Sequence, residues 1–171
     1  MCNVEQLKLQ KMKKKIHTIA VMTSGGDAPG MNAAIRAVIR TAIHRNLRIY
    51  AINGGYEGMI DGNFIEMDAA SVGNVIHRGG TIIKTSRSVR FKKKRWRTVA
   101  FANLKKYEID GVVLIGGNGS IAGLNLFTSE FDIPFIAVPK TIDNDVYGTD
   151  YAIGFDTATN TALESIDKIR D

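Results

Sequence analysis

Asp110-Gly111-Val112-Val113-Leu114-Ile115-Gly116-Gly117-Asn118-Gly119-Ser120 reads as a buried strand running into a glycine loop. Val112 to Ile115 is an unbroken aliphatic run of the length used by a strand covered on both faces. From about Ile121 to Phe127 the pattern turns helical. Strand, glycine loop, helix is the unit from which parallel α/β sheets are built. Backbone N–H groups at such a helix start attract phosphate. The stretch therefore predicts both a fold class and a ligand chemistry.

The same unit recurs toward the N-terminus. Ile16 to Met22 reads as a strand and leads into Thr23-Ser24-Gly25-Gly26-Asp27-Ala28-Pro29-Gly30. A helical pattern then starts at Met31, with Ile35, Val38, Ile39, Ala42 and Ile43 on one face and Arg36 and Arg40 on another. The loop has neither the Rossmann G-x-G-x-x-G spacing nor the P-loop G-x-x-x-x-G-K pattern, so a phosphate loop and a plain tight turn both remain open. Arg48 to Ile52 is a further strand, ending at Asn53-Gly54-Gly55-Tyr56-Glu57-Gly58. Asn63 to Met67 reads as a short strand beside it, and Ala69 to Ile76 as helical. Arg78-Gly79-Gly80-Thr81 and the following Lys84-Thr85-Ser86-Arg87-Ser88 bring a second glycine pair with hydroxyls and an arginine suited to phosphate oxygens.

Toward the C-terminus, the apolar run Phe135 to Val138 delivers Pro139-Lys140-Thr141-Ile142-Asp143-Asn144-Asp145. Its polar residues fall just past the end of a strand, where open α/β sheets bind ligands. One carboxylate there suits proton removal from a hydroxyl, the other suits a cation, and the lysine suits phosphate charge. An isolated Asp-Asn-Asp would read instead as an Asx turn. Several glycine loops pointing to the same end of the sheet favour the chemical reading. A last helix then runs through Arg170-Asp171 without a glycine stop.

Composition narrows the class. The chain has 171 residues, 44% of them hydrophobic, enough for one sizeable core. A single cysteine, Cys2, fits a reducing, cytoplasmic setting, and no apolar run approaches membrane-spanning length. The net charge of +6 is concentrated in two places. The first 17 residues hold five lysines, and residues 1–15 are expected to form a basic, poorly ordered extension. Lys84 to Arg97 holds eight basic residues and no acid. Arg90 to Arg97 reads as a solvated basic stretch opening a helix through Leu104, with Phe101 and Leu104 toward the core. With Trp96 as its one aromatic, nucleic acid ranks last among the partners of this stretch.

Five motifs then stand in order: Ser24-Gly25-Gly26-Asp27-Ala28-Pro29-Gly30-Met31-Asn32, Arg78-Gly79-Gly80-Thr81, the Gly-Gly-Asn-Gly-Ser loop, Thr141-Ile142-Asp143-Asn144-Asp145 and Gly154-Phe155-Asp156-Thr157-Ala158. Together they resemble the 6-phosphofructokinase family, ATP-dependent bacterial type, over nearly everything from Ile16 onward. The resemblance implies an α/β three-layer sandwich with a mainly parallel sheet, an ATP-binding domain over residues 16–145, and the start of a fructose 6-phosphate domain over 146–171. It implies phosphoryl transfer from ATP to the 1-hydroxyl of fructose 6-phosphate, with Mg²⁺. In that likeness Asp143 is the general base, and Thr141 and Arg87 attend the reacting groups. Gly26, Arg87, Ser88, Gly117, Asn118, Gly119 and Ser120 line the ATP site, and Thr141, Ile142 and Asp143 meet the sugar. Asn118 and Asp145 attend the metal, while Arg36, Arg40 and Arg170 match nucleotide-effector positions of a homotetramer.

Three departures qualify the likeness. Asn118 stands where the family usually has an aspartate, a stronger ligand for a hard cation. Lys140 matches pyrophosphate-dependent members, whereas Gly119 matches ATP users. The family enzyme is also about twice as long, so the chain is expected to be its N-terminal half. A pyrophosphate-dependent enzyme and a non-catalytic nucleotide-binding module are the competing readings.

Overall fold

The computed structural model of the chain describes residues 15–170. The basic extension expected over residues 1–15 lies outside them apart from Lys15, as do Cys2 and Asp171. Five strands form one sheet in the order β3-β2-β1-β4-β5: β1 (Thr18–Ser24), β2 (Arg48–Ile52), β3 (Phe64–Glu66), β4 (Gly111–Gly116) and β5 (Phe135–Pro139). The β1–β2, β1–β4 and β4–β5 pairs are parallel, and β3 joins β2 antiparallel. The helices are α1 (Met31–His44), α2 (Gly55–Asp61), α3 (Lys94–Lys106), α4 (Asn118–Glu130) and α5 (Phe155–Arg170).

Strand alternation divides the core in two. Ala20, Met22, Ile52, Val112 and Leu114 point to one face, where they pack with Tyr56, Met59, Leu104 and Phe127 from α2, α3 and α4. Val21, Ile49, Ala51 and Ile115 point to the other and meet Ile35, Ile39 and Ala42 of α1. The expected three layers are therefore present. The α1 layer is thinner, and over β5 it leaves Ile136 66% exposed.

Several sequence expectations are corrected. Residues 69–76 form no α-helix; only Ala70–Val72 makes a short 3-10 turn, because Gly73 and Asn74, the latter at φ 51°, break it. The glycine-rich end of β2 reads as a turn but opens helix α2, after Gly54 turns the chain at φ 88°. The basic stretch is not wholly solvated. Arg97 is only 4% exposed and its guanidinium grips Glu130 through Nε (2.7 Å) and Nη2 (2.6 Å). Its Nη1 donates to the carbonyls of Phe91 and Lys92 at 2.9 and 2.8 Å. Arg90 donates to both carboxylate oxygens of Asp61 at 2.8 Å and also pairs with Glu57. Trp96 is half-buried, with the Arg90 guanidinium 5.1 Å from its ring centroid. No helix among the described residues is long and apolar enough to cross a membrane.

Candidate functional site

The strand order places the site. From β1 the chain crosses through α1 to β2 on one side, whereas β4 crosses through α4 to β5 on the other, so the order reverses between β1 and β4. Ligands of open α/β sheets bind in the crevice at the carboxyl ends of the strands at such a reversal. Register makes the ends level. Ser24 pairs with Gly116, and Gly116 pairs with Pro139. The loops Gly25-Gly26, Gly117-Asn118 and Lys140-Thr141 consequently leave the sheet side by side.

They open onto a cleft of about 660 Å³. Gly26, Arg87, Ser88, Gly117, Asn118, Gly119, Ser120, Thr141, Ile142 and Asp143 all line it, so most residues proposed from sequence share one cleft. Asp145 does not line it but is bound to Asn118, whose Nδ2 donates to its carbonyl and to its Oδ2 at 3.0 Å each. Thr141 Oγ1 donates to Asp145 Oδ1 and accepts from the Asp143 N–H, both at 3.1 Å. Ser88 Oγ accepts from the Phe91 N–H at 2.9 Å, which folds the Arg87 segment back toward the cleft. Arg36, Arg40 and Arg170 do not line it; Arg36 Nη1 donates to the Val72 carbonyl at 3.3 Å.

Two charge features shape the site. The first residues of α4 face the cleft, and a helix start carries unpaired N–H groups and a partial positive charge. Behind them Lys140 is 4% exposed and its ammonium donates to the Gly26 carbonyl. Burial pushes the Lys140 pKa below its ordinary value, with the Asp27 carboxylate opposing the shift. The site is thus built for an anion.

Sequence reasoning missed the apolar end of the cleft: Tyr56, Val89, Phe91, Gly123 and Leu126. Tyr56 and Phe91 stack with centroids 4.0 Å apart, and the Tyr56 hydroxyl donates to the Ser120 carbonyl at 2.7 Å. Burial pushes the Tyr56 pKa up, so the phenol stays a neutral donor. Gly119, Gly123 and Leu126 follow the spacing of one helix face, a signal that was readable from the sequence. A flat apolar wall beside an anion-binding loop suits a nucleoside with its phosphates.

A phosphofructokinase family profile matches residues 18–171. The ATP-dependent 6-phosphofructokinase of Cytophaga hutchinsonii is 56% identical over 153 residues, covering 90% of this chain and 47% of that protein. That of Clostridioides difficile is 55% identical over 154 residues, covering 90% and 48%. The chain therefore spans just under half the length of these relatives. Among solved structures, phosphofructokinase from Saccharomyces cerevisiae superposes with a TM-score of 0.86 at 38% identity, over 90% of this chain and 24% of that one. A pyrophosphate-dependent phosphofructokinase from Marinobacter aquaeolei gives 0.73 at 26%, over 89% and 42%. Profile, relatives and fold agree with the level strand ends and the converging loops: the chain belongs to the phosphofructokinase family.

Proposed function

We propose that this chain supplies the nucleotide-binding half of an ATP-dependent 6-phosphofructokinase, acting in the cytoplasm on fructose 6-phosphate. One observation carries the reading. The glycine loops after β1 and β4, Arg87 and the Thr141–Asp143 turn share a single cleft at the sheet's switch point. Asp143 takes the proton of the sugar 1-hydroxyl as its oxygen attacks the γ-phosphorus. The bond to the β-phosphate oxygen breaks, and ADP leaves. Arg87 offsets charge on the transferring group, Thr141 and Ile142 contact the sugar side, and the start of α4 holds the nucleotide phosphates. Such catalysis is positioning and electrostatics, which suits a wall of backbone donors and cations.

The donor set fits magnesium. Mg²⁺ commonly takes one or two carboxylates and completes its shell with water and phosphate oxygens. Asp145, with the Asn118 amide beside it, meets that requirement. Bound there, the ion would neutralise charge on the β- and γ-phosphates. Among the described residues no cluster of three or more His, Cys, Asp and Glu side chains converges. That favours a metal carried largely by the nucleotide. Residues 146–171 begin the sugar-phosphate domain, and Arg36, Arg40 and Arg170 take a nucleotide effector in a homotetramer.

Pyrophosphate is the second donor to weigh. Lys140, a buried cation behind the phosphate loop, suits it as well as it suits ATP. Gly119 favours the nucleotide, since a Cβ there would meet nothing within 4 Å and the space beside the apolar wall is open. The test joins this chain to the complementary half of the Cytophaga hutchinsonii relative and measures fructose 1,6-bisphosphate with ATP or pyrophosphate. Product with ATP supports the proposal. Product with pyrophosphate alone replaces the donor. Bound Mg·ATP without product leaves a nucleotide-binding module.

A further inference from the structure

We propose that Asn118 is a positioning residue that sets the Thr141–Asp145 turn through Asp145, without needing a cation to do so. Four groups form one chain of bonds. The Asn118 Nδ2 donates to the Asp145 carbonyl and carboxylate at 3.0 Å each. The other carboxylate oxygen accepts from Thr141 Oγ1, and Thr141 Oγ1 accepts from the Asp143 N–H. The first residue of α4 thereby fixes the backbone that carries Asp143.

The rest of the turn is held from other directions. At its base, the Lys140 N–H donates to the Gly116 carbonyl at 3.0 Å and the Thr141 N–H to the Ile153 carbonyl at 3.1 Å. On its outer side Asn144 donates to the Asp150 carbonyl and accepts from the Ala152 N–H, both at 3.0 Å. Among the described residues, Asn118 is the α4 side chain bonded to the turn. Both of its acceptors carry negative or partial negative charge, so the tie requires an N–H donor at this position. A carboxylate in place of the amide would set acceptor against acceptor at 3.0 Å and would hold only with a cation between them. The amide supplies internally what a carboxylate would need an ion to supply. It leaves Asp145 oriented before any nucleotide or metal arrives.

The proposal rests on the phosphofructokinase reading only for what the turn does, and its test needs no substrate. Backbone ¹⁵N relaxation would be recorded on the 171-residue chain in EDTA and then in millimolar Mg²⁺. In the unmodified chain the amides of residues 141–146 are expected to be rigid in both, with order parameters near about 0.85. Asn118→Ala should drop them below about 0.6 in both. Asn118→Asp should be loose in EDTA and recover with Mg²⁺. Asn118→Asp combined with Asp145→Asn reverses donor and acceptor in the side-chain bond alone, leaving the carbonyl bond unmade, and should be more ordered in EDTA than Asn118→Asp. That last variant distinguishes a specific bond from a general loss of fold. Unchanged order in Asn118→Ala, or a double variant no more ordered than Asn118→Asp, would overturn the proposal. So would an Asn118→Asp turn that is already ordered in EDTA.

Discussion

Asp143 and Lys140 stand three residues apart and do opposite things with charge. Asp143 is exposed on the cleft wall, and under the proposed function it accepts the proton of the sugar hydroxyl. Asp143→Asn in the joined enzyme should leave Mg·ATP affinity within about twofold while cutting kcat by roughly three orders of magnitude; calorimetry and a coupled turnover assay read the two effects separately. Lys140 is buried beneath the Gly25–Asp27 loop. Its folded pKa lies below its ordinary 10.5, so the charged form costs stability at neutral pH, a cost that fades as pH rises toward 10.5. Lys140→Met should weaken binding of ATP, read by calorimetry. A lower melting temperature with unchanged binding would show a purely structural lysine. The polar residues of the turn were legible because they cluster after an apolar strand. The bond from Asn118 to Asp145 was not, since 27 residues separate the partners and only the register of β4 with β5 brings them together.

At the scale of elements, the strands were the most legible parts, β1 and β4 above all, because their apolar runs end in glycine loops. Helix α2 escaped for the converse reason: Gly54, Gly55 and Gly58 read as turn formers. Gly58 is there for closeness rather than flexibility, as a Cβ on it would lie 1.9 Å from the Asn53 carbonyl oxygen. Gly58→Ala should therefore cost at least about 3 kcal/mol in urea unfolding. The Arg97–Glu130 pair escaped because a cation within a basic run reads as surface. It fastens α3 to the end of α4 across 33 residues. The hydrogen bond from Arg97 holds Glu130 below its ordinary pKa of 4.5. The pair's contribution is thus complete above that value and lost as pH falls through the lowered one. Glu130→Gln should lower the urea midpoint at pH 7, by an amount that shrinks as pH falls below 4.5. An equal loss at every pH would assign the effect to packing.

At the scale of the whole molecule, the sheet is covered unevenly. One face carries α2, α3 and α4, while the other carries α1 and leaves Ile136 to solvent. Helix α5 buries none of its residues, and Leu163, Ile166 and Ile169 lie along it exposed. Parallel sheets are ordinarily covered on both faces. In relatives about twice as long, the remaining chain is available for that role. Replacing Ile166 and Ile169 together with Glu should change the unfolding free energy by less than about 0.5 kcal/mol and reduce self-association in sedimentation. A large loss of stability would mean that the helix packs on its own body.

The segment leading into helix α5 is bridged to the chain just past β5. Lys140 and Ile153 form a parallel bridge, with Thr141 donating to Ile153 and Ile153 to Pro139. Mechanically this is a lever pinned near one end. Sixteen helical residues make an arm of about 24 Å, whose fulcrum is the first peptide of the Asp143 turn. Tilting that arm by five degrees would sweep its tip through about 2 Å. The same rotation would twist the peptide planes at 140–141 while scarcely displacing them. Whatever grips the far end of α5 therefore has mechanical advantage over the angle of the 140–141 peptide.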